Sequence, residues 1–264
     1  MVYRIGMPLS FAALVPYPIF IDGVQEPGQE LPASIEKGYQ ALAKTVQAAN
    51  PETVIFIIGQ PLEPPNPYTP PLADPDAVNI LGLDKVSFGD LVFDNDVELM
   101  EELQERAKPI GWSAKRAPQI KLSPSMHYAA EHSGVAAISP KVLALYLPYR
   151  TPTELLEFGQ ILGTLIKRTN KQIAVLAVGN LSTRADTEPG KNFDAKFKNA
   201  IEENSIMELI GTAPKEFEMA GEDAMRTFAV AAGAVLGASV TDEPRLTAFG
   251  TNDRKSYAIV TWHS

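Results

Sequence analysis

Imidazole, carboxyl and hydroxyl groups are the side chains through which this chain could move protons or hold a ligand. The 264 residues contain three histidines, His127, His132 and His263, and no cysteine. Imidazole exchanges protons near neutral pH and binds first-row metals well, so His132 is the candidate catalytic group, with His127 beside it in sequence. Each has a plainer reading: a structural histidine at a loop–strand junction for His132, a loop hydrogen bond for His127. His263, next to the end of the sequence, is not expected to meet the other two. Glu222, in Ala220-Gly221-Glu222-Asp223-Ala224-Met225-Arg226, is the candidate carboxylate. As a plain surface pair with Arg226 one helical turn on, it would contribute only about 0.2–0.5 kcal/mol. Ser182 and Thr183 offer hydroxyls, but a hydroxyl nucleophile needs an adjacent base and none is near in sequence.

The stretch that must position these groups runs from Ile173 to Asp194. Ile173-Ala174-Val175-Leu176-Ala177-Val178 is a short apolar run of the kind that forms a strand buried on both faces. Gly179-Asn180-Leu181-Ser182-Thr183-Arg184 follows, then Gly190-Lys191-Asn192-Phe193-Asp194. This polar, turn-rich segment falls at the strand's carboxyl end, where open α/β sheets place their sites.

A formal charge of −9, with no basic cluster, argues against nucleic acid or an anionic membrane as partner. No apolar run approaches the roughly 20 residues that span a bilayer. Without cysteine there is no disulfide, zinc–thiolate site, iron–sulfur cluster or thiol nucleophile. Met1–Gly6 lacks the pattern of a signal peptide, so the expected location is cytoplasmic. The length suits one large α/β domain, residues 1–264.

In order, Leu9–Val15 predicts a strand stopped at Pro16-Tyr17-Pro18. Ile35, Tyr39, Leu42, Val46 and Ala49 share one face of a helix over 33–49, and Thr53–Ile58 is a second buried strand, which together suggest a parallel βαβ unit. A loop holding seven prolines between Pro61 and Pro75 follows, either a wall over a site, a surface loop or an interface arm. Val86–Phe93 reads as one strand, Asp94-Asn95-Asp96 as a cap for the helix bearing Val97, Met100, Leu103 and Ala107, and 121–139 as irregular. After a strand near 142–147, Thr151-Pro152-Thr153-Glu154 is a capping box that starts a helix leading back to Ile173. Helices are expected near 194–203 and 218–236, then an antiparallel pair, 246–249 and 257–262, joined by 250–256.

Six segments in this order resemble class III extradiol ring-cleavage dioxygenases, the LigB-like superfamily. Phe11–Pro18 is similar to the family's opening strand ending in Pro-His-Pro, and Thr53–Pro61 to its second strand ending in Ser-Pro-His. Glu131-His132-Ser133-Gly134 is similar to its Asp-His-Gly, and Gly179–Arg184 with Gly190…Phe193-Asp194 to its Gly-Asp-Leu-Ser-His-Arg and following turn. Ala220–Arg226 resembles the helix bearing its carboxylate ligand, and Phe249-Gly250…Tyr257–Val260 its terminal hairpin. The resemblance implies an α/β fold with a mixed, mostly parallel central sheet flanked by helices. It also implies an Fe(II) site of two histidines and one glutamate, with a further histidine as acid/base. Carried over, the first histidine ligand falls on Tyr17, the second on Gln60, the carboxylate on Glu222 and the acid/base on Thr183, with Asn180 in place of the motif's aspartate. A phenol must lose a proton to bind iron, an amide oxygen is a weak donor, and a threonine hydroxyl does not exchange protons near neutral pH.

The expectation is therefore a dioxygenase-like protein that has lost its iron ligands and needs no cofactor. Some members of the family pair an iron-bearing subunit with an iron-free homologue, so the expected partner is a homologous subunit or a second copy of this chain. Two alternatives stand beside it: an active ring-opening enzyme whose metal site is rebuilt, for example from His127 or His132 with Glu222, and a metal-free protein binding an aromatic or other small molecule in a cleft lined by Tyr17, Gln60, Asn180, Thr183 and Glu222.

Overall fold

A computed structural model of the protein describes residues 8–18, 20–21, 24–25, 30–59, 76–117 and 124–263. Gln60 and the Pro61–Pro75 loop lie outside the described residues. In chain order the elements are β1 (Leu9–Val15), β2 (Phe20–Ile21), β3 (Val24–Gln25), α1 (Ala33–Ala49), β4 (Thr53–Ile58), β5 (Val78–Leu81), β6 (Lys85–Phe88), β7 (Leu91–Asp94) and α2 (Val97–Ala107). There follow β8 (Ala114–Ala117), α3 (Pro124–His132), α4 (Val135–Ile138), β9 (Lys141–Tyr146), α5 (Pro152–Arg168) and β10 (Ile173–Val178). The chain continues with α6 (Glu188–Glu202), α7 (Ile206–Ile210), α8 (Pro214–Ala220), α9 (Ala224–Gly237), β11 (Arg245–Asn252) and β12 (Lys255–His263).

Among the described residues the main sheet runs β11-β12-β1-β10-β4-β9-β5-β8. Its centre, β1-β10-β4-β9, is parallel. β12 runs antiparallel to β1, β11 to β12, and β5 to β9. The two expected βαβ units exist, but each crosses over a strand: β10 lies between β1 and β4, and β4 between β10 and β9. The central strands carry apolar residues throughout because helices cover both faces. Ile55, Ile57, Val175 and Ala177 face the layer built by α2, α5, α6 and α9, while Val54, Phe56, Ala174 and Leu176 face α1, α3 and the β6–β7 hairpin. β1 shifts register between Leu9 and Phe11. Leu9 therefore shares a face with Ala12 and Leu14, whereas Phe11 joins Ala13 and Val15 on the other. At the shift, the Ser10 hydroxyl donates to the Ile173 carbonyl at 2.9 Å.

The α2–α5–α9 side is closed by an unusually near approach of two helices. A methyl group built on Gly159 or Gly163 of α5 would stand 2.3 Å from the Val230 carbonyl oxygen or 2.1 Å from that of Ala234. On Gly233 or Gly237 of α9 it would stand 2.3 Å from the Leu156 oxygen or 2.2 Å from that of Gln160. The two helices meet backbone to backbone, and glycine is the residue that permits it.

At the opposite end of the sheet from the strand tips, buried Asp96 caps α2 through the Leu99 N–H and accepts from the Thr53 hydroxyl at 2.6 Å and Lys171 at 2.9 Å. Burial alone would raise its pKa, but the Lys171 and Thr53 bonds and the Leu99 N–H outweigh it and hold the carboxyl below its ordinary value.

Four expectations are corrected. The single strand over 86–93 is a hairpin, because Gly89 takes φ +64° and turns β6 back into β7. The irregular 121–139 contains α3 and α4, for Met126, Ala129, Ala130 and Val135 are apolar enough to be buried. The helix expected at 194 begins at Glu188, where the Thr187 hydroxyl accepts from Gly190 N–H and Pro189 fits the first turn. The helix expected over 218–236 is two, broken where Gly221 adopts φ +66°. The terminal hairpin is present and longer than expected, with its turn at Asp253-Arg254 in place of the 250–256 connection. No helix among the described residues is long and apolar enough to cross a membrane.

Gly159→Ala or Gly233→Ala should destabilise the protein by about 2–4 kcal/mol in urea unfolding, since backbone cannot yield as a side chain can. Gly211→Ala, whose nearest neighbour would be 3.4 Å away, should change stability by less than about 0.5 kcal/mol.

Candidate functional site

The polar groups of interest gather where β1, β10 and β4 end and α9 begins. β1 and β10 are neighbours in register to Val15 and Val178, so the segments leaving them run side by side. The Tyr17 N–H donates to the Asn180 side-chain oxygen at 3.0 Å. The Tyr17 hydroxyl donates to the Asp223 carboxylate at 2.6 Å, and the other oxygen of Asp223 accepts from the Asn180 N–H. The Asn180 carbonyl in turn accepts from the N–H groups of Asp223 and Ala224 at 3.2 and 3.0 Å. Asp223, at the N-cap position of α9, thus ties two strand ends to one helix start.

The loop after β10 is braced from below. Asp194, on α6 and turned inward, accepts from the Ser256 hydroxyl at 2.7 Å and the Ser182 N–H at 3.4 Å. The Ser182 hydroxyl donates to the Ala220 carbonyl at 2.9 Å and the Thr183 hydroxyl to the Gly221 carbonyl at 2.8 Å. Both hydroxyls hold the chain break ahead of α9. A base beside Ser182, which nucleophilic chemistry requires, is not among their partners.

Glu222 is buried and its carboxylate accepts from the Met225 N–H at 2.6 Å. The break at Gly221 places it ahead of α9, so it satisfies a free N–H of the helix's first turn, a partner that the surface-pair reading with Arg226 did not include. Burial pushes its pKa up to about 7; the Met225 N–H and Arg226 pull it down, and neighbouring Asp223 adds to the rise. Burial likewise raises Asp223 above the usual carboxylate range, against the pull of the Tyr17 and Asn180 hydrogen bonds. Burial, then the charge of Asp223, lifts the Tyr17 hydroxyl well above an ordinary phenol.

The histidines are elsewhere. His127 Nδ1 lies 2.7 Å from the Phe88 carbonyl oxygen, with Asp90 and Glu131 each at 3.4 Å. His132 is exposed at the end of α3, stacked on Tyr128 with ring centroids 3.7 Å apart and edge-on to Tyr39. His263 ends β12 opposite Phe11. The structure brings Tyr17, Asn180, Thr183 and Glu222 to one edge of the sheet; no hydrogen bond or ring contact among the described residues joins His127 or His132 to them, and Gln60 lies outside the described residues. Asp223 escaped the sequence reading although Gly-Glu-Asp before an apolar helix marks an N-cap. Ser256, 62 residues from Asp194, left no local signal.

These donors do not suit Fe(II). The Tyr17 hydroxyl is engaged by a carboxylate and held far from ionisation, Thr183 spends its proton on a carbonyl, and Glu222 accepts from a backbone N–H. Among the described residues no group of three or more histidine, aspartate or glutamate side chains is placed to hold a metal ion.

Glu222→Gln keeps an acceptor for the Met225 N–H but removes the titration. A carboxyl raised in the folded state contributes stability that is full below about pH 4.5 and is lost as pH rises through about 7. The variant should therefore gain about 1–3 kcal/mol over the parent at pH near 8, and little at pH near 4.5, by denaturant unfolding. Tyr17→Phe should cost about 1–3 kcal/mol by leaving Asp223 short of a donor.

The family model for the catalytic LigB subunit of aromatic ring-opening dioxygenase matches residues 135–254. That span runs from α4 to the turn of the terminal hairpin, ahead of β12, and includes Asn180, Ser182, Thr183, Asp194, Glu222 and Asp223. No curated protein matches the chain. An uncharacterized protein from Escherichia coli K12, known by its crystal structure, superposes with a TM-score of 0.64 at 11% identity, over 96% of this chain and 99% of its own. At that identity the likeness is one of fold. Residues 135–254 are thus similar to the LigB family, and the α/β fold that carries this segment spans nearly all of the described molecule.

Proposed function

We propose that this chain is a non-catalytic relative of the aromatic ring-opening dioxygenases, acting as an accessory subunit to a homologous partner or as a homodimer. The observation that carries the reading is the Tyr17–Asp223–Asn180 arrangement. Of the positions onto which the resemblance carries iron ligands, Tyr17 gives its proton to Asp223 and Glu222 accepts from the Met225 N–H, while Gln60 lies outside the described residues. Ring opening needs a metal with positions left open for substrate and oxygen, and a proton donor cycling near neutral pH. Thr183 does not supply the second. The Asp194–Ser256 brace and the backbone contact of α5 with α9 hold the fold together without any metal, which fits a role in shape and assembly.

The test is metal content after anaerobic incubation with Fe(II) and desalting, followed by oxygen uptake with catechol and with 2-aminophenol. No retained iron and no uptake are expected. Iron near one per chain with oxygen consumed would overturn the reading. In light scattering and co-purification, a chain that stays monomeric and recovers no homologous protein would remove the accessory role.

A further inference from the structure

Between α2 and α5 runs a broad, open groove of about 710 Å³ whose lining includes Glu105 and Arg106 of α2 and Glu157, Ile161, Thr164 and Arg168 of α5. The α5 residues are spaced by four, three and four, so they form one stripe along the helix. Glu157, Thr164 and Arg168 are exposed and Ile161 is half-buried. The stripe has an acid at its amino end, an apolar residue and a small hydroxyl at its centre, and a base at its carboxyl end. Leu236 of α9, 45% exposed, stands near this face, since it precedes Gly237, which abuts the Gln160 carbonyl.

A stripe in this order is complementary to itself run backwards. In a two-fold interface every contact is made twice, residue i on j and j on i. With α5 antiparallel to its copy and the axis between Ile161 and Thr164, Glu157 of each copy faces Arg168 of the other. Ile161 of each then faces Thr164 of the other. A parallel meeting would set Glu157 on Glu157 and Arg168 on Arg168. Such charge pairs fix register and orientation more than they add affinity, which comes from covering Ile161 and the apolar flank. The groove as a whole is mixed in sign, with Arg106 paired to Glu102 at 2.8 Å, so it favours neither a polyanion nor a polycation. A surface patterned as it is itself fits best. We propose that two copies of this chain associate through this groove, α5 against α5 and antiparallel, in the Glu157–Arg168 register. Such a pair is the homodimer of the accessory-subunit reading, on which this surface rests.

The test is the mass of the full chain at micromolar concentration, by light scattering and sedimentation velocity. The parent should run at twice the 28.6 kDa of one chain. Glu157→Arg and Arg168→Glu should each give monomer, because each sets like charges together at two symmetric places. Both substitutions in one chain restore opposite charges and should restore the dimer, which a local effect on α5 would not do. Ile161→Ala should weaken association about tenfold. Circular dichroism should show all four variants folded, since the substituted side chains stand on the outer face of α5. A monomeric parent, a dimer indifferent to either charge reversal, or a double variant that stays monomeric would each overturn the proposal. Indifference to the reversals would leave a homodimer on another face, and a monomeric parent that recovers a homologous protein would leave the accessory role, so this surface and that reading fail separately.

Discussion

Asp223 is the group on which the polar edge of this sheet depends. One side chain accepts from the second residue after β1 and from the second residue after β10, and its own backbone returns a bond to the latter. Taking a carboxylate out of water is costly, and several hydrogen bonds, one from a hydroxyl, are what make it tolerable. The cost explains why the groups around it are so fully engaged. Tyr17 gives its proton to the carboxylate, Asn180 spends both side chain and backbone on the same knot, and Glu222 next door turns away to α9's first turn. A site built for an incoming metal keeps lone pairs aimed at an empty point; here the lone pairs are aimed at neighbours.

Much of the fold was legible because burial on two faces leaves a plain mark. The runs 9–15, 53–58 and 173–178 are apolar at every or nearly every position, and Thr151–Glu154 signals its helix start by residue types alone. What could not be read was settled by backbone turning through glycine. Gly89 splits a strand, Gly221 splits a helix, and in both cases the apolar pattern runs on across the break. The site was legible in part for the same reason. Positions Tyr17, Asn180, Thr183 and Glu222 converge because they follow strands or precede a helix, and chain order finds such places. Their partners did not follow from order. Asp223 differs from Glu222 by one residue, and which carboxylate turned toward Tyr17 was decided by the break at Gly221. His127 and His132 drew attention by residue type, whereas α3 carries them to the α1 side of the sheet.

The two ends of the central strands are secured by different physics. At the amino ends Asp96 is compensated by a cation, Lys171, and its carboxyl is held below its ordinary value. At the carboxyl ends Glu222 and Asp223 are compensated chiefly by neutral donors, and burial lifts both. Polar edges of α/β sheets where ligands bind are commonly the less settled ones.

The register shift at the start of β1 bears on how this fold tolerates changes in length. Downstream of it, the strand is fixed by pairing to β10 and by the Tyr17 bonds, so the parity of Phe11 to Val15 is set from the site backward. Upstream, Leu9 already sits out of step with the rest. A residue gained or lost ahead of Ser10 is absorbed at a place where alternation is already broken, and Tyr17 keeps its face. The irregularity acts as a coupling joint, insulating the knot from changes of length in the segment that leads into it.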